Sequence, residues 1–319
     1  MKEDILLAML ARSDGYISGE DISRRLGVSR TAVWKYMEDL RRAGYVIEAV
    51  PRRGYRLVSR PDKLIPTEVR AGLDTVRLGQ AVHYYTEIGS TNDVARELAL
   101  KGADEGTLVV AEKQIKGRGR RGRHWVSPAG TGIFASLILR PNLLPAHAPI
   151  LTLTAAVAGA EAIHELTELP VGIKWPNDLL IRGRKTAGIL TEMSAEIDTI
   201  FHVIIGVGIN VNTDSFPEEL QYVATSLAKE VGQEVSRQRL LQLFLQRFEK
   251  WYDCLPSKRD RVLDRWRRLS ITLGRQVTVF SPNFTVQGQA LDIDQEGALL
   301  IHTTNGEQVR ILSGDVSLR

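Results

Sequence analysis

The chain has 319 residues, more than a single domain usually holds, so two or three domains with a substantial core are expected. Hydrophobic residues at 43% and charged residues at 25% are near globular averages, as in a folded, enzyme-sized protein. The net charge of +4 lies wholly in residues 1–60, where 12 Lys and Arg face 8 Asp and Glu, while the rest is balanced at 30 against 30. That asymmetry suits an N-terminal nucleic-acid module on a neutral body. No stretch reads as long and apolar enough to cross a membrane, and the opening MKEDILLAML lacks a signal-peptide pattern, so a cytoplasmic protein without a membrane partner is expected. One cysteine, Cys254, excludes an intrachain disulfide framework and a cysteine metal cluster; a helix face in an ordinary core is its expected place.

In residues 1–60, Ile5, Leu6, Leu7 and Leu10 predict a first helix ending near Asp14-Gly15. Ser18 followed by Asp21 resembles a capping box opening a short helix with Ile22 and Leu26 on its apolar face. Gly27-Val28-Ser29 makes a turn, and Ser29 caps a third helix with Val33, Tyr36, Met37 and Leu40 buried, ending near Ala43-Gly44. Two strands, Tyr45–Ala49 and Tyr55–Val58, flank a basic tip, which completes a winged helix-turn-helix. Arg30, Thr31 and Lys35 on the third helix are the candidates for base or phosphate contact, and Arg52 and Arg53 on the wing for backbone or minor groove. Trp34 is placed to pack or to stack. A protein-contact module is the competing reading. So small a module reads DNA specifically as a pair on a palindromic site, so a dimer on operator DNA is implied. Residues 61–66, with two prolines in a polar setting, read as a linker.

The expected catalytic body is 67–270. Val82–Tyr85 reads as a strand handing over through Ser90-Thr91-Asn92 to a helix, where capping is the default role of those residues and ligand contact the alternative. Thr107–Ala111 and Gly132–Leu139 are strands that enclose Gly117–Trp125, GRGRRGRHW, in which four arginines alternate with three glycines. Glycines let the backbone wrap a polyanion and arginines donate to it, so a phosphate-handling loop is one reading and a basic surface or nucleic-acid-contacting loop the other. Val171–Ile173 ends in Lys174-Trp175-Pro176-Asn177-Asp178, where Lys174 can touch phosphate and Asn177 and Asp178 can hold Mg²⁺. An Asx turn at Asn177-Asp178 and a core Trp175 are the bland alternatives. Lys185, taken alone, is a surface lysine in a turn. Gly206-Val207-Gly208-Ile209-Asn210 ends a further strand, with Asn210 either a ligand contact or a turn residue. Leu151–Leu166 is a buried helix, and Leu240–Trp251 and Val262–Leu269 are the helices that close the body. In 271–319, strands at Gln276–Phe280, Thr285–Asp292, Ala298–His302 and Gln308–Ile311, with Gly288 and Gly297 as bulge or turn residues, describe a small SH3-like β-barrel.

Ser90-Thr91-Asn92, GRGRRGRHW, KWPND, Lys185 in RKTAGILTE, and GVGIN, in this order, resemble the biotin protein ligases. With the winged helix, the whole chain is similar to their bifunctional bacterial form, which also represses the biotin operon. The resemblance implies a multidomain α/β (α+β) protein whose central mixed-sheet domain has a class II synthetase-like fold. It also implies ATP-dependent formation of biotinyl-adenylate and transfer of biotin to a lysine of the biotin carboxyl carrier protein, with adenylate-promoted dimerisation on operator DNA. Biotin, ATP and Mg²⁺ are the implied ligands. By the same resemblance Ser90, Thr91, Asn92, Gln114, Arg118, Gly119, Arg120 and Lys185 bind biotin. Arg118, Arg120, Arg121, Arg123, Trp125, Lys174, Asn177, Lys185 and Asn210 meet ATP, Arg118 and Lys185 are catalytic, and Asn177 and Asp178 hold the metal. The small C-terminal domain is implied to close over the nucleotide. A lipoate-type ligase and a ligand-sensing repressor without catalysis are the alternatives; the uninterrupted loop and the DNA module weigh against the first, the retained catalytic positions against the second.

Overall fold

A computed structural model of the protein describes residues 2–10, 15–281 and 284–318. The chain begins with α1 (Lys2–Leu10), α2 (Gly19–Leu26) and α3 (Arg30–Arg42). Asp14, where the first helix was expected to stop, lies outside the described residues. Ser18 accepts from the Asp21 amide at 2.9 Å and Ser29 from the Ala32 amide at 3.2 Å, so both expected caps form. Ile22, Val33, Met37 and Leu40 close a core with Ile5, Leu6 and Met9; Tyr36 is only half-buried, and Trp34 is 55% exposed, so it does not pack. The wing is β1 (Val46–Val50) paired antiparallel with β2 (Gly54–Ser59), and a bridge from Ile17 to Tyr55 seats it on the helices.

Residues 61–66 are tied down by the body that follows. Asp62 accepts from Arg237 Nε at 2.8 Å, the Leu64 amide donates to Glu112 at 3.1 Å, and Gln238 donates to the carbonyls of Pro61 and Lys63. In α4 (Pro66–Arg70), the fully buried Glu68 accepts from the Tyr45 hydroxyl at 2.7 Å and pairs with Arg60. Burial and the Glu68 carboxylate together push the Tyr45 phenol well up.

The body contains β3 (Val82–Tyr85), α5 (Thr91–Leu100), β4 (Leu108–Ala111), β5 (Gly132–Leu139), α6 (Pro149–Thr167), β6 (Val171–Lys174), β7 (Asp178–Ile181), β8 (Arg184–Ala195), β9 (Ile200–Asn210), α7 (Leu227–Val231), α8 (Arg237–Tyr252) and α9 (Leu255–Leu269). Seven strands form a mixed sheet in the order β3-β4-β5-β9-β8-β7-β6, with only β3 and β4 parallel. Contrary to expectation, one segment, Pro145–Thr167, is long and apolar enough by composition to span a membrane. Its apolar surface is used internally, because α6 packs on the sheet and is covered by α8 and α9. Cys254 is half-buried at the junction of α8 and α9.

The period of two along the central strands makes the site. Odd positions of β9, Val203, Ile205, Val207 and Ile209, enter the α6 core; even positions, Ile204, Gly206, Gly208 and Asn210, face the other way. In β5, Ile133, Ala135, Leu137 and Leu139 join the same core, leaving Ser136 on the opposite face. A sheet that presents glycine instead of side chains over part of one face leaves a hollow there.

The C-terminal strands are β10 (Gln276–Phe280), β11 (Thr285–Ile293), β12 (Leu299–Thr303), β13 (Gln308–Ile311) and β14 (Asp315–Leu318). Their order is β13-β12-β11-β10-β14, all antiparallel. The last two strands, consecutive in sequence and joined by residues 312–314, occupy opposite edges, which requires a strongly rolled sheet. β14 was not read from the sequence.

Candidate active site

The hollow is a cavity of about 420 Å³, of the size that holds a small ligand. Its lining includes Ser90, Thr91, Asn92, Gln114, Arg118, Gly119, Arg120, Arg123, Trp125, Lys174, Asn177, Asp178, Lys185 and Asn210. Of the expected biotin, ATP and metal residues, only Arg121 stays outside it.

Ser90 stands at the N-cap of α5 but makes no side-chain capping bond, so capping does not account for this triplet. Thr91 and Asn92 serve a buried polar chain. The Thr91 amide donates to Gln114 Oε1 at 2.8 Å, Gln114 Nε2 donates to Ser127 at 3.0 Å, and the Ser136 hydroxyl lies 2.7 Å from Thr91 Oγ1 and 2.6 Å from Asn92 Oδ1. Asn92 Nδ2 donates to Glu192 at 2.7 Å. The Asn92 carboxamide is therefore engaged at both ends, and its wall of the cavity is rigid. A Cβ on Gly206 would overlap that carboxamide, so glycine is required there for close approach.

The arginine-glycine loop is a short hairpin. The Trp125 amide donates to the Gly117 carbonyl at 2.9 Å and the Gly119 amide to the Arg123 carbonyl at 2.8 Å. The amide of Gly119 thus closes the loop on itself, and Gly117 is glycine because a Cβ would overlap the Trp125 carbonyl. Arg121, at φ 56°, marks the tip. Each arginine is anchored, Arg121 and Arg123 sharing Asp315. Arg118 bonds Asp93 and Glu192 at 2.6 Å each, Arg120 reaches Asn177 Oδ1 at 3.0 Å and the Gly314 carbonyl at 3.3 Å, Arg121 the Phe280 carbonyl at 2.9 Å, and Arg123 Asp315 at 2.6 Å. Three of the four therefore fasten the loop to the C-terminal domain. Burial lowers the Arg120 pKa; burial opposes the Arg118 charge too, but Glu192 and Asp93 carry its pKa above the ordinary value.

On the other wall, Lys185 lies in β8, not in a turn: its amide donates to the Val223 carbonyl at 2.8 Å and its Nζ is 2.6 Å from Asp178. The same ammonium sits 5.3 Å from the Trp125 ring centre. That indole lies across Gly208 and Gly188, paired neighbours on β9 and β8, and its buried Nε1 has no hydrogen-bond partner among the described residues. Asn177 donates to the Ile189 carbonyl at 2.8 Å and Asn210 to the Thr225 carbonyl at 3.2 Å, so both are positioned by backbone. Trp175 is core, 2% exposed, and donates to the Gly297 carbonyl at 3.0 Å. Lys174 has no ion-pair partner among the described residues, and burial lowers its pKa despite nearby Asp178. Among those residues no group of three or more His, Cys, Asp and Glu could form a metal cage.

The sequence reading missed Asp315, Leu190, Phe216, Leu220 and Val223, which also line the cavity, and Glu192 beside it. Alternation in AGILTE carried a signal for Gly188, Leu190 and Glu192 on one face; the others come from distant segments with no local mark.

In the N-terminal unit, Arg30, Thr31, Lys35, Arg52 and Arg53 are all exposed. Arg30 is paired with Glu20 at 2.8 Å, and Arg53 lies 4.6 Å from the centre of the Tyr16 ring.

Residues 84–210 match the model of the Biotin/lipoate A/B protein ligase family, residues 3–56 an HTH domain, and residues 272–319 the Biotin protein ligase C terminal domain. The chain is 45% identical over 321 aligned positions to the Bifunctional ligase/repressor BirA of Bacillus subtilis, covering 100% of this chain and 98% of that protein. It is 31% identical to the protein of that name from Escherichia coli, covering 98% and 96%. Among solved structures it matches a biotin protein ligase from Aquifex aeolicus in complex with biotin and ATP, at TM-score 0.65 and 32% identity, covering 75% of this chain and 99% of the other. Three domains in the same order and one cavity that gathers the expected motifs lead to one assignment: the chain belongs to the biotin protein ligase family, among its bifunctional ligase/repressors.

Proposed function

We propose that the protein activates biotin with ATP, transfers it to a lysine of the biotin carboxyl carrier protein, and represses transcription in response to the intermediate. The observation that carries this reading is the single cavity in which an uncharged polar wall meets a cationic one. Ser90, Thr91 and Gln114 suit the ureido edge of biotin, and Leu190 with the Trp125 indole, laid across Gly188 and Gly208, supplies the apolar wall for its ring and chain. Lys174, Lys185, Arg118 and Arg120 supply the positive charge that an adenylate requires.

In the first step a biotin carboxylate oxygen attacks the α-phosphorus of ATP and pyrophosphate leaves. Two anions must be brought together, so fixed cations at the reacting phosphoryl oxygens lower the barrier. Lys185 Nζ follows that charge from its station between Asp178 and the Trp125 ring. In the second step the carrier lysine amine attacks the anhydride carbonyl and AMP leaves. The loop, anchored on the C-terminal domain, covers the anhydride and excludes water. Asp178 and Asn177 are the residues that would hold Mg²⁺. Asn177 Oδ1 accepts from Arg120 at 3.0 Å and Asp178 Oδ1 lies 2.6 Å from Lys185 Nζ, so these oxygens fit an ion that arrives with ATP only as Arg120 and Lys185 turn to the phosphates, phosphate and water being its other ligands. Bound there, it would offset part of the triphosphate charge.

For DNA, Arg30, Thr31 and Lys35 would enter the major groove of an operator and Arg52 and Arg53 track its backbone, with two winged helices presented by a ligand-favoured homodimer. The direct test is incubation with biotin, labelled ATP and a carrier domain, with lipoate in parallel. Labelled biotinyl-adenylate and a biotinylated lysine are expected; lipoyl transfer, or ligand binding without either product, would overturn the reading. Sedimentation with and without biotin and ATP tests the dimer, and equal association constants would reject it.

A further inference from the structure

The environment of Arg118 contains a carboxylate that the reaction itself does not call for. Arg118 Nη1 donates to Asp93 Oδ1 and Nη2 to Glu192 Oε1, each at 2.6 Å. Asp93 has a second cation, Arg96, at 3.0 Å; among the described ion pairs Glu192 has only Arg118. Glu192 is also held from behind. Its other oxygen accepts from Asn92 Nδ2 at 2.7 Å, and the Asn92 carboxamide is fixed by the Ser136 hydroxyl and by the bare backbone of Gly206. Asn92 is 3% exposed, so this is a built anchor and not a chance surface pairing.

A guanidinium that faces a fixed carboxylate offers an incoming anion only part of its charge. An anionic ligand and Glu192 compete for the same donors, because both present oxygens that accept from the Nη atoms. We propose that Glu192 is a positioning residue acting through Arg118: anchored by Asn92, it is the resident counter-anion against which the anionic end of the intermediate must compete, and it sets how readily the intermediate is released. This rests on the reading that the cavity holds biotinyl-adenylate next to the loop. The consequence is opposite to that of a purely architectural ion pair: removing the Glu192 charge while keeping its hydrogen bond strengthens the hold on the ligand.

The test uses the full-length protein. Glu192→Gln keeps an acceptor for Asn92 and removes the charge, whereas Glu192→Asp keeps the charge on a shorter side chain. Dissociation of preformed biotinyl-adenylate is followed by stopped-flow, and binding of biotin alcohol, an uncharged analogue, by calorimetry. Glu192→Gln is expected to slow adenylate dissociation about two- to fivefold, the range of one partly exposed charge pair, with unchanged affinity for the alcohol; Glu192→Asp stays nearer the wild type. In an Arg118→Gly background the Glu192→Gln effect disappears. An unchanged or faster dissociation in Glu192→Gln, a slowing that persists without Arg118, or an equal change in alcohol affinity would each overturn the proposal. A wild-type protein that forms no adenylate would instead overturn the functional reading beneath it.

Discussion

Gly208→Ala places one methyl group in the cavity floor. The new Cβ would lie 2.5 Å from Trp125 Cε2, 2.6 Å from Nε1 and 2.9 Å from Cζ2. Carbon atoms settle at about 3.5–4.0 Å, so the indole must retreat by roughly 1 Å. The ladder of β9 can absorb the alanine, since Gly208 pairs regularly with Phe134 and Gly188 and its φ is not in the left-handed range. The indole Nε1 has no hydrogen-bond partner among the described residues to lose, so the ring moves off β9 toward the cavity. Overpacking of this kind costs about 1–3 kcal/mol of stability. Its effect on the ligand is larger, because the ring carries the base of the loop through the Trp125 to Gly117 bond and takes volume from a space of about 420 Å³. Biotin affinity is expected to fall at least about tenfold, equivalent to about 1.4 kcal/mol. Urea denaturation reads the first quantity and titration calorimetry with biotin the second. Trp125→Ala in the same chain should restore most of the lost stability by removing the clash. Wild-type biotin affinity in Gly208→Ala, or no recovery of stability in the pair, would show that the indole does not rest on this strand.

Lys174 must be protonated to hold phosphate, and burial lowers its pKa below the ordinary lysine value of about 10.4. ATP affinity should therefore fall as pH rises through that lowered value, and Lys174→Met should flatten the alkaline limb of the KM profile for ATP; between the lowered and ordinary values the unfolded chain binds the proton more tightly, so this residue makes stability rise with pH. Arg118→Gly removes the cation shared by Asp93 and Glu192 and should speed release of the adenylate, read by stopped-flow; an unchanged rate would remove Arg118 from the ligand site. Arg237→Met leaves the carboxylate of Glu112 without the cation 2.7 Å away and should cost about 3–5 kcal/mol in urea denaturation, with Glu112→Gln recovering part of it. Tyr45→Phe removes the hydroxyl donor to the fully buried Glu68 and should cost about 1–2 kcal/mol, with the winged helix melting at a lower temperature than the body in calorimetry.

What could be read from the sequence is what depends on neighbours in the chain. Ser18 and Ser29 cap their helices because the bonds span three residues, and Val82–Tyr85 and Gly132–Leu139 were found to the residue because alternation and flanking turns mark a strand locally. The site motifs were visible too, but their physical roles were not. GVGIN ends a strand as expected, but nothing local shows that Gly206 makes room for Asn92 and Gly208 for Trp125. Asn92 looked like a cap or a ligand contact because its partner Glu192 lies 100 residues away. Arg123 finds Asp315 across 192 residues, a pairing that no local pattern marks. Lys185 seemed to lie in a turn because its strand is paired by segments from both sides, β7 and the residues near Val223, and pairing of that kind leaves no period in the sequence.

The linker shows why such long-range contacts matter to function. Proline and polar composition in 61–66 predict only a linker; they say nothing of α4 opening at Pro66, nor of Arg237, which reaches the segment across 175 residues and also grips Glu112. Glu112 in turn is one residue from Lys113 and two from Gln114, the residue that orders Thr91 in the cavity wall. The segment that joins the winged helix to the body is thus bonded to the strand end from which the arginine-glycine loop departs. Any ligand that shifts Gln114 acts on the same short stretch of backbone that carries Glu112, whose side chain holds the linker at Leu64, and Tyr45 and Arg60 bond Glu68 just beyond that linker. Coupling between the two ends of the chain can run through a continuous set of packed and bonded groups when both ends bias a shared equilibrium. The bonds through Glu112 supply the continuity, and the comparison of Tyr45→Phe with wild type in adenylate-dependent DNA binding measures whether they share the equilibrium: a reduced adenylate effect is expected, and an unchanged one would show that this path carries no coupling.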